Sequence, residues 1–225
     1  MPRRIVDLSH PIDSSIPMFP GLPAPEITAL LSREESASRY APGVSFLISR
    51  YVLAGNTGTY LDAPFHRYAD GADLATLPLD RAVDLPGVVV DVRGRCAGSQ
   101  RAIDAEVFAE YDLVGCAVLI LTGWDTRWGK SDYLEPGPFL TAEAAQALVS
   151  AGAVLVGIDT WNIDDVKDPS RPAHSILLAA SIPIVENLCH IDQLPQRGFR
   201  FHAAPLPIVA GTATPVRAYA VLVER

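Results

Sequence analysis

Four side chains able to do chemistry stand within one short stretch, Asn56-Thr57-Gly58-Thr59-Tyr60-Leu61-Asp62-Ala63-Pro64-Phe65-His66. The carboxylate of Asp62 and the imidazole of His66 are ligand types for a divalent cation. The phenol of Tyr60 and the amide of Asn56 can donate hydrogen bonds to a developing oxyanion. If the stretch begins as a strand, side chains alternate and positions 56, 58, 60 and 62 share a face. Gly58 then leaves space at the centre of that face for an ion or a substrate. Pro64 breaks the ladder and puts His66 on a turn. Each residue alone also has a structural use. Asp62 ahead of Ala63-Pro64 can hold a turn through its own backbone, and a single histidine commonly hydrogen-bonds without taking part in chemistry.

The elements that must position this stretch are legible in outline. The chain has 225 residues, 49% of them hydrophobic, enough for one domain with a sizeable core. Apolar runs rich in β-branched residues and bounded by glycine predict strands at Val44–Ala54, Gly87–Val92, Ala117–Gly123, Val154–Asp159, Ile182–Val185 and Val216–Val223. The middle runs are continuous rather than alternating, as strands covered on both faces are. Thr141 is placed to cap a helix over Ala142–Ser150 that stops at Gly152. Ile103–Tyr111, with Asp104 and Glu106 near its start, and Ser175–Ala180 are further helix candidates. The result is a mixed α/β domain spanning residues 1–225. Its first 30 residues or so form a Pro-rich arm, in which Ile12, Ile16, Met18, Phe19 and Leu22 need another surface to cover them.

A net charge of −8 with scattered basic residues argues against nucleic acid or an anionic membrane as partner. No apolar run approaches the length of a bilayer span, and Arg3-Arg4 precede too short and too acidic a segment for a signal peptide. Cys96, Cys116 and Cys189 are odd in number and form no Cys-x-x-Cys pair, as in a reduced cytoplasmic protein. There is no Gly-x-Ser-x-Gly elbow and no phosphate-binding glycine loop, which disfavours serine hydrolases and nucleotide-dependent enzymes.

The stretch from Asn56 to His66 resembles the His-x-Gly-Thr-His-x-Asp-x-Pro-x-His motif of the cyclase family, the kynurenine-formamidase-like metal-dependent hydrolases. Asp62 and His66 stand where the motif has its carboxylate and last imidazole, and Asn56 and Tyr60 replace its first two histidines. The resemblance runs on through Asp7-Leu8-Ser9, Pro17-Met18-Phe19-Pro20-Gly21, Thr122-Gly123-Trp124, Gly157-Ile158-Asp159-Thr160, Pro172-Ala173-His174 and Ile184-Val185-Glu186-Asn187. Single pieces of this set are weak, but their order is specific. It implies a swivelling β/β/α fold, dimers or tetramers, and a metal or catalytic role for Asp62, His66, His174 and Glu186.

Two imidazoles and two carboxylates suit a zinc or manganese ion with an open position. The reaction implied is hydrolysis of a small amide, formamide, lactam or lactone, as in tryptophan catabolism, with His66 or His174 relaying the proton. Tyr60 and Asn56 either stabilise an oxyanion or fill the vacated space with hydrogen bonds. Trp124 and Trp161 are candidates to line an aromatic-substrate pocket, or else ordinary core residues. Two rival readings stand beside the hydrolase. One is a metal-depleted family member that binds a small ligand or serves as a structural partner; the other is a metal-independent lyase or cyclase using Tyr60 as its acid.

Overall fold

The computed structural model describes residues 3–96 and 100–223; residues 1–2, 97–99 and 224–225 of the expected 1–225 domain lie outside it. The early strands are β1 (Arg3–Asp7), β2 (Glu26–Leu31), β3 (Ile48–Val52) and β4 (Tyr60–Asp62). The middle of the chain supplies β5 (Leu85–Asp91), β6 (Ala102–Ile103), β7 (Ala117–Leu121), β8 (Phe139–Leu140) and β9 (Leu155–Ile158). The last are β10 (Ile184–Glu186), β11 (Phe199–His202), β12 (Ala213–Pro215) and β13 (Tyr219–Val223). Nine of these form one sheet in the order β1-β13-β11-β5-β7-β9-β10-β4-β12. The run from β5 through β10 is parallel and both flanks are antiparallel.

Alternate residues of the central strands enter opposite cores, which is why these segments read as unbroken apolar runs. Ala117, Leu119 and Leu121 of β7 join one cluster, whereas Val118 and Ile120 join the other. The first cluster also contains Phe199 and Phe201 of β11 together with Val185 of β10. Those two strands are four places apart in the sheet, about 19 Å if it were flat. They share a core because the sheet curls. The second cluster is covered by α2 (Ala142–Ser150) and α3 (Pro172–Ala179) through Ala144, Ala145, Leu148, Ala173, Leu177 and Leu178.

Thr141 caps α2 by accepting from the Ala144 N–H at 3.2 Å, and Gly152 follows the helix with a φ of 76°. The segment expected as a helix over Ile103–Tyr111 is instead a short strand followed by a 3₁₀ turn at Ala105–Phe108. Ile103 is held by the β6–β8 pairing, and the Asp104 side chain caps nothing. Too few residues remain to nucleate an α-helix.

The Val44–Ala54 run contains the expected strand, in its second half. Among the described residues that strand, β3, pairs only with β2, to which it is joined through the short helix α1 (Arg33–Ala37), and both stand away from the core as an exposed hairpin. By contrast the Pro-rich arm lies across the domain. Ile16 is buried, Ile12 packs on Gly58, and Phe19 meets the Trp161 ring at 5.7 Å.

Candidate active site

The site is assembled where β4 meets β10 antiparallel, beneath the start of α3. The register sets Tyr60 opposite Glu186 and Asp62 opposite Ile184, so Tyr60, Asp62 and Glu186 share one face of the sheet. Asn187, in a left-handed conformation just after β10, locks this register. Its side-chain amide donates to the Gly58 carbonyl at 2.7 Å, and its backbone carbonyl accepts from the Thr59 hydroxyl at 2.6 Å. Gly58 does not leave room for an ion. It is left-handed at φ 62°, and a Cβ there would lie 3.0 Å from the Ile12 side chain. The strand accordingly begins at Tyr60, and His66 falls on the 3₁₀ turn Pro64–His66.

α3 faces this surface with His174. The Asp164 carboxylate, in the loop after β9, fixes its position. Asp164 Oδ1 accepts from the Ala173 N–H at 2.6 Å, while Oδ2 accepts from the His174 N–H at 3.2 Å and lies 2.6 Å from His174 Nδ1. Arg171 Nε donates to the same Oδ2 at 3.2 Å. One carboxylate thus satisfies the first N–H groups of the helix and holds the imidazole with Nδ1 as donor. Nε2 then faces Asp62 Oδ2 at 3.6 Å and Glu186 Oε1 at 3.8 Å.

Asp62 is fully buried. Its Oδ1 accepts from the Asn56 amide at 3.0 Å and lies 3.5 Å from His66 Nδ1, but its Oδ2 has no hydrogen-bond partner among the described residues. Glu186 is buried too. Its Oε1 accepts from the Ile163 N–H at 2.6 Å and its Oε2 accepts from the Tyr60 hydroxyl.

Charge is crowded here. Burial alone would lower the His174 pKa, but the hydrogen bond to Asp164 and the nearby carboxylates of Asp62 and Glu186 push it up to about 10. Burial, and then the charge of Asp62, hold Glu186 above the ordinary carboxylate range. Burial and the neighbouring Glu186 and Asp62 keep the Tyr60 phenol protonated. Asp164 stays below its ordinary value despite burial, because His174 and two backbone N–H groups favour its charged form.

Asp62, His66 and His174 each present a ligand atom within 4.8 Å of the others. The buried Asp62 carboxylate faces His174 through its unpartnered Oδ2 and His66 through Oδ1, so both imidazoles border one carboxylate. This donor set of one oxygen and two nitrogens fits a divalent transition metal with an open position. Glu186 lies beside the set but already has partners on both oxygens.

Above these residues opens a cleft of about 240 Å³, lined by Asn56, Tyr60, His66 and His174, by Asn162 and Arg171, and on its apolar side by Phe19 and Leu22. Trp161 reaches it only through Phe19, and its indole N–H donates to the Glu135 carbonyl at 2.9 Å. Trp124 is not brought to this cleft. Its N–H donates to the Tyr133 carbonyl, its ring lies under Arg127, and it lines a separate cavity with Thr122 and Glu135.

The model of the Cyclase family, described as "Putative cyclase", matches residues 6–165. The chain belongs to this family. Kynurenine formamidase of Bacillus cytotoxicus is 29% identical over 213 residues, covering 95% of each chain. An isatin hydrolase bound to the product analogue thioisatinate superposes with a TM-score of 0.85 at 26% identity, covering 99% of this chain and 93% of that one. A potential metal-dependent hydrolase with cyclase activity superposes with a TM-score of 0.80 at 26% identity, covering both chains fully. By these comparisons the family member is a hydrolase of amide C–N bonds. The sequence reading singled out neither Asn162 nor Arg171, and it met Asp164 only as part of the resemblance at Ile163-Asp164, without a role. For Asn162 and Asp164 a further signal was a polar cluster just after a parallel strand, the end at which ligands of such sheets bind, whereas Arg171 stands immediately before α3.

Proposed function

We propose that the chain is a metal-dependent hydrolase of a small aryl amide, formamide or lactam, with Asp62, His66 and His174 holding one zinc or manganese ion. The gathering of one ligand atom from each of these three side chains within 4.8 Å, around a buried Asp62 carboxylate whose Oδ2 has no hydrogen-bond partner among the described residues, carries this reading. When bound, such an ion polarises the amide carbonyl and lowers the pKa of the attacking water. The protein's own groups do the rest. Asp164 keeps His174 Nε2 turned toward Asp62, and Asn56 holds the other oxygen of Asp62. Phe19 and Leu22 give an aryl group an apolar wall and exclude water, while Asn162 offers an amide to orient the polar end. Tyr60 keeps its proton and shares it with Glu186 Oε2, which supports a count of no more than one ion.

A homo-oligomer is part of this proposal. Ten large apolar side chains between Ile27 and Leu53 are exposed, Leu30 at 68% and Tyr51 at 64%. Half-exposed side chains of this size leave about 1,000 Å² uncovered, beyond the few hundred usual for a monomer and near the ~800 Å² that each partner buries in a stable interface. A cytoplasmic location is supported by the three cysteines, none of which is in a disulfide.

The test is elemental analysis of protein purified without chelators, with assays on N-formylkynurenine, a simple aryl formamide and an aryl lactam before and after chelation. One ion per chain and chelator-sensitive turnover are expected. Turnover that survives full metal removal refutes the metal dependence. A metal-loaded protein that turns over none of these substrates points to the ligand-binding alternative.

A further inference from the structure

Two segments of the site are tied together behind the cleft by Asn187, which does not line it. On one side its amide donates to the Gly58 carbonyl and its backbone carbonyl accepts from the Thr59 hydroxyl, just ahead of Tyr60. On the other side its N–H donates to the Thr160 carbonyl at 3.0 Å. From Thr160 the loop is bonded to itself. The Thr160 hydroxyl donates to the Asn162 carbonyl at 2.9 Å, and the Asn162 side-chain oxygen accepts from the Asp164 N–H at 2.9 Å. Asn187 therefore stands between the strand that presents Asp62 and the loop whose Asp164 sets the His174 ring.

A third contact fixes the orientation of the Asn187 amide. The Tyr133 hydroxyl donates to Asn187 Oδ1 at 2.6 Å, the one partner of that oxygen among the described residues. With Oδ1 held there, the NH₂ group is turned toward Gly58. Tyr133 is buried and lies outside the cleft. Its ring meets that of Trp128 edge-on at 5.0 Å, and Trp128 stacks on His10 at 3.9 Å. The His10 N–H donates to the Thr59 hydroxyl at 3.1 Å, which closes a circuit back to Asn187. A buried polar atom in such a circuit has no water to replace a lost partner, so one deletion displaces its neighbours.

We propose that Tyr133 is a positioning residue of this site: through Asn187, its hydroxyl sets the spacing between Asp62 and His174 and hence the fit of the ion. This rests on the metal-dependent reading of the cleft. Tyr133 itself meets neither ion nor substrate.

The experiment compares wild type with Tyr133→Phe, which deletes only the hydroxyl, and with Val89→Ala. The latter is a buried truncation on β5, separated from β10 by β7 and β9. Zinc affinity in competition with a chelator falls about tenfold in Tyr133→Phe, the lower end for losses outside the ligand shell. On an aryl formamide kcat falls while KM holds, because Phe19 and Leu22 keep their places. In the metal-free protein, amide hydrogen exchange quickens over residues 58–62 and 160–164. Val89→Ala loses stability to urea and shows none of these changes. Unchanged zinc affinity in Tyr133→Phe overturns the proposal, as does an equal fall in Val89→Ala. A fall without faster exchange in the two segments overturns it too, since the effect then does not run through Asn187. Should Tyr133→Phe fail to fold, Thr59→Val cuts the same circuit and is judged by the same criteria. A wild type that takes up no zinc fails the metal reading together with this inference; a wild type that binds zinc no better than Tyr133→Phe fails this inference alone.

Discussion

Replacing Asp164 by Asn tests whether one carboxylate organises both the start of α3 and the His174 ring. In the wild type its Oδ2 faces three donors: the His174 N–H, His174 Nδ1 and Arg171 Nε, at 3.2, 2.6 and 3.2 Å. Asparagine keeps an acceptor for the Ala173 N–H but turns an NH₂ group toward those three donors. Charged hydrogen bonds contribute about 1.5–3 kcal/mol each. Relief from burying the carboxylate returns part of that sum, leaving a net loss of about 3–5 kcal/mol, as for other broken buried pairs. Most single domains have about 5–15 kcal/mol to lose, so the variant should still fold. Urea unfolding, extrapolated linearly, measures the loss. With Nδ1 released, the imidazole also loses its fixed tautomer, and affinity for zinc in competition with a chelator should fall about 10–100-fold. A variant within ~1 kcal/mol of wild type, with zinc affinity unchanged, would refute the reasoning.

Three further outcomes are expected. Tyr60→Phe removes a donor from buried Glu186, so it should cost about 1–3 kcal/mol in urea unfolding; it should also lower kcat by much less than the ~10²-fold that follows loss of an oxyanion donor. A 10²-fold fall in kcat with intact stability would instead put the phenol at the reacting carbonyl. Leu30→Glu with Tyr51→Glu should convert the protein to monomers in sedimentation velocity at micromolar concentration, and an unchanged sedimentation coefficient would exclude the hairpin as the interface. Burial raises the Asp159 pKa from 3.8 to about 7, so its contribution is fullest below pH 4 and is lost as pH rises through 7. Asp159→Asn cannot ionise, and its stability relative to wild type should therefore improve between pH 5 and pH 8; a constant difference across that range would refute the shift.

What was legible in the sequence is what local physics determines. Helix α2 follows from Thr141, an apolar face and Gly152, all within twelve residues. The parallel strands follow from continuous apolar runs, because each strand reports its own two-sided burial. The strand within Val44–Ala54 was legible too, but not its pairing with β2 or its exposure, because composition reports the strand and not what covers it. The site was legible only in part. The pairing of Tyr60 with Glu186 spans 126 residues and depends on strand register, which no local pattern encodes. The role of Asp164 was not legible for a related reason: it stands in the resemblance as Ile163-Asp164, but it acts through His174, ten residues on.

The register also explains why the two departures from the family motif belong together. Asn56 and Tyr60 stand where the resemblance expects imidazoles, and each now donates a hydrogen bond to a buried carboxylate, Asn56 to Asp62 and Tyr60 to Glu186. A neutral donor can stabilise a buried carboxylate without a cation, at a fraction of the electrostatic strength. With both oxygens of Glu186 and one of Asp62 satisfied by neutral donors, Asp62 Oδ2 is the one oxygen of these two carboxylates left unpartnered among the described residues. What remains to be compensated is thereby reduced to one oxygen, which faces His174, while His66 borders the other. Changing either residue alone leaves the other donor in the space an ion would need, so a return to histidine alters the chemistry only as a pair.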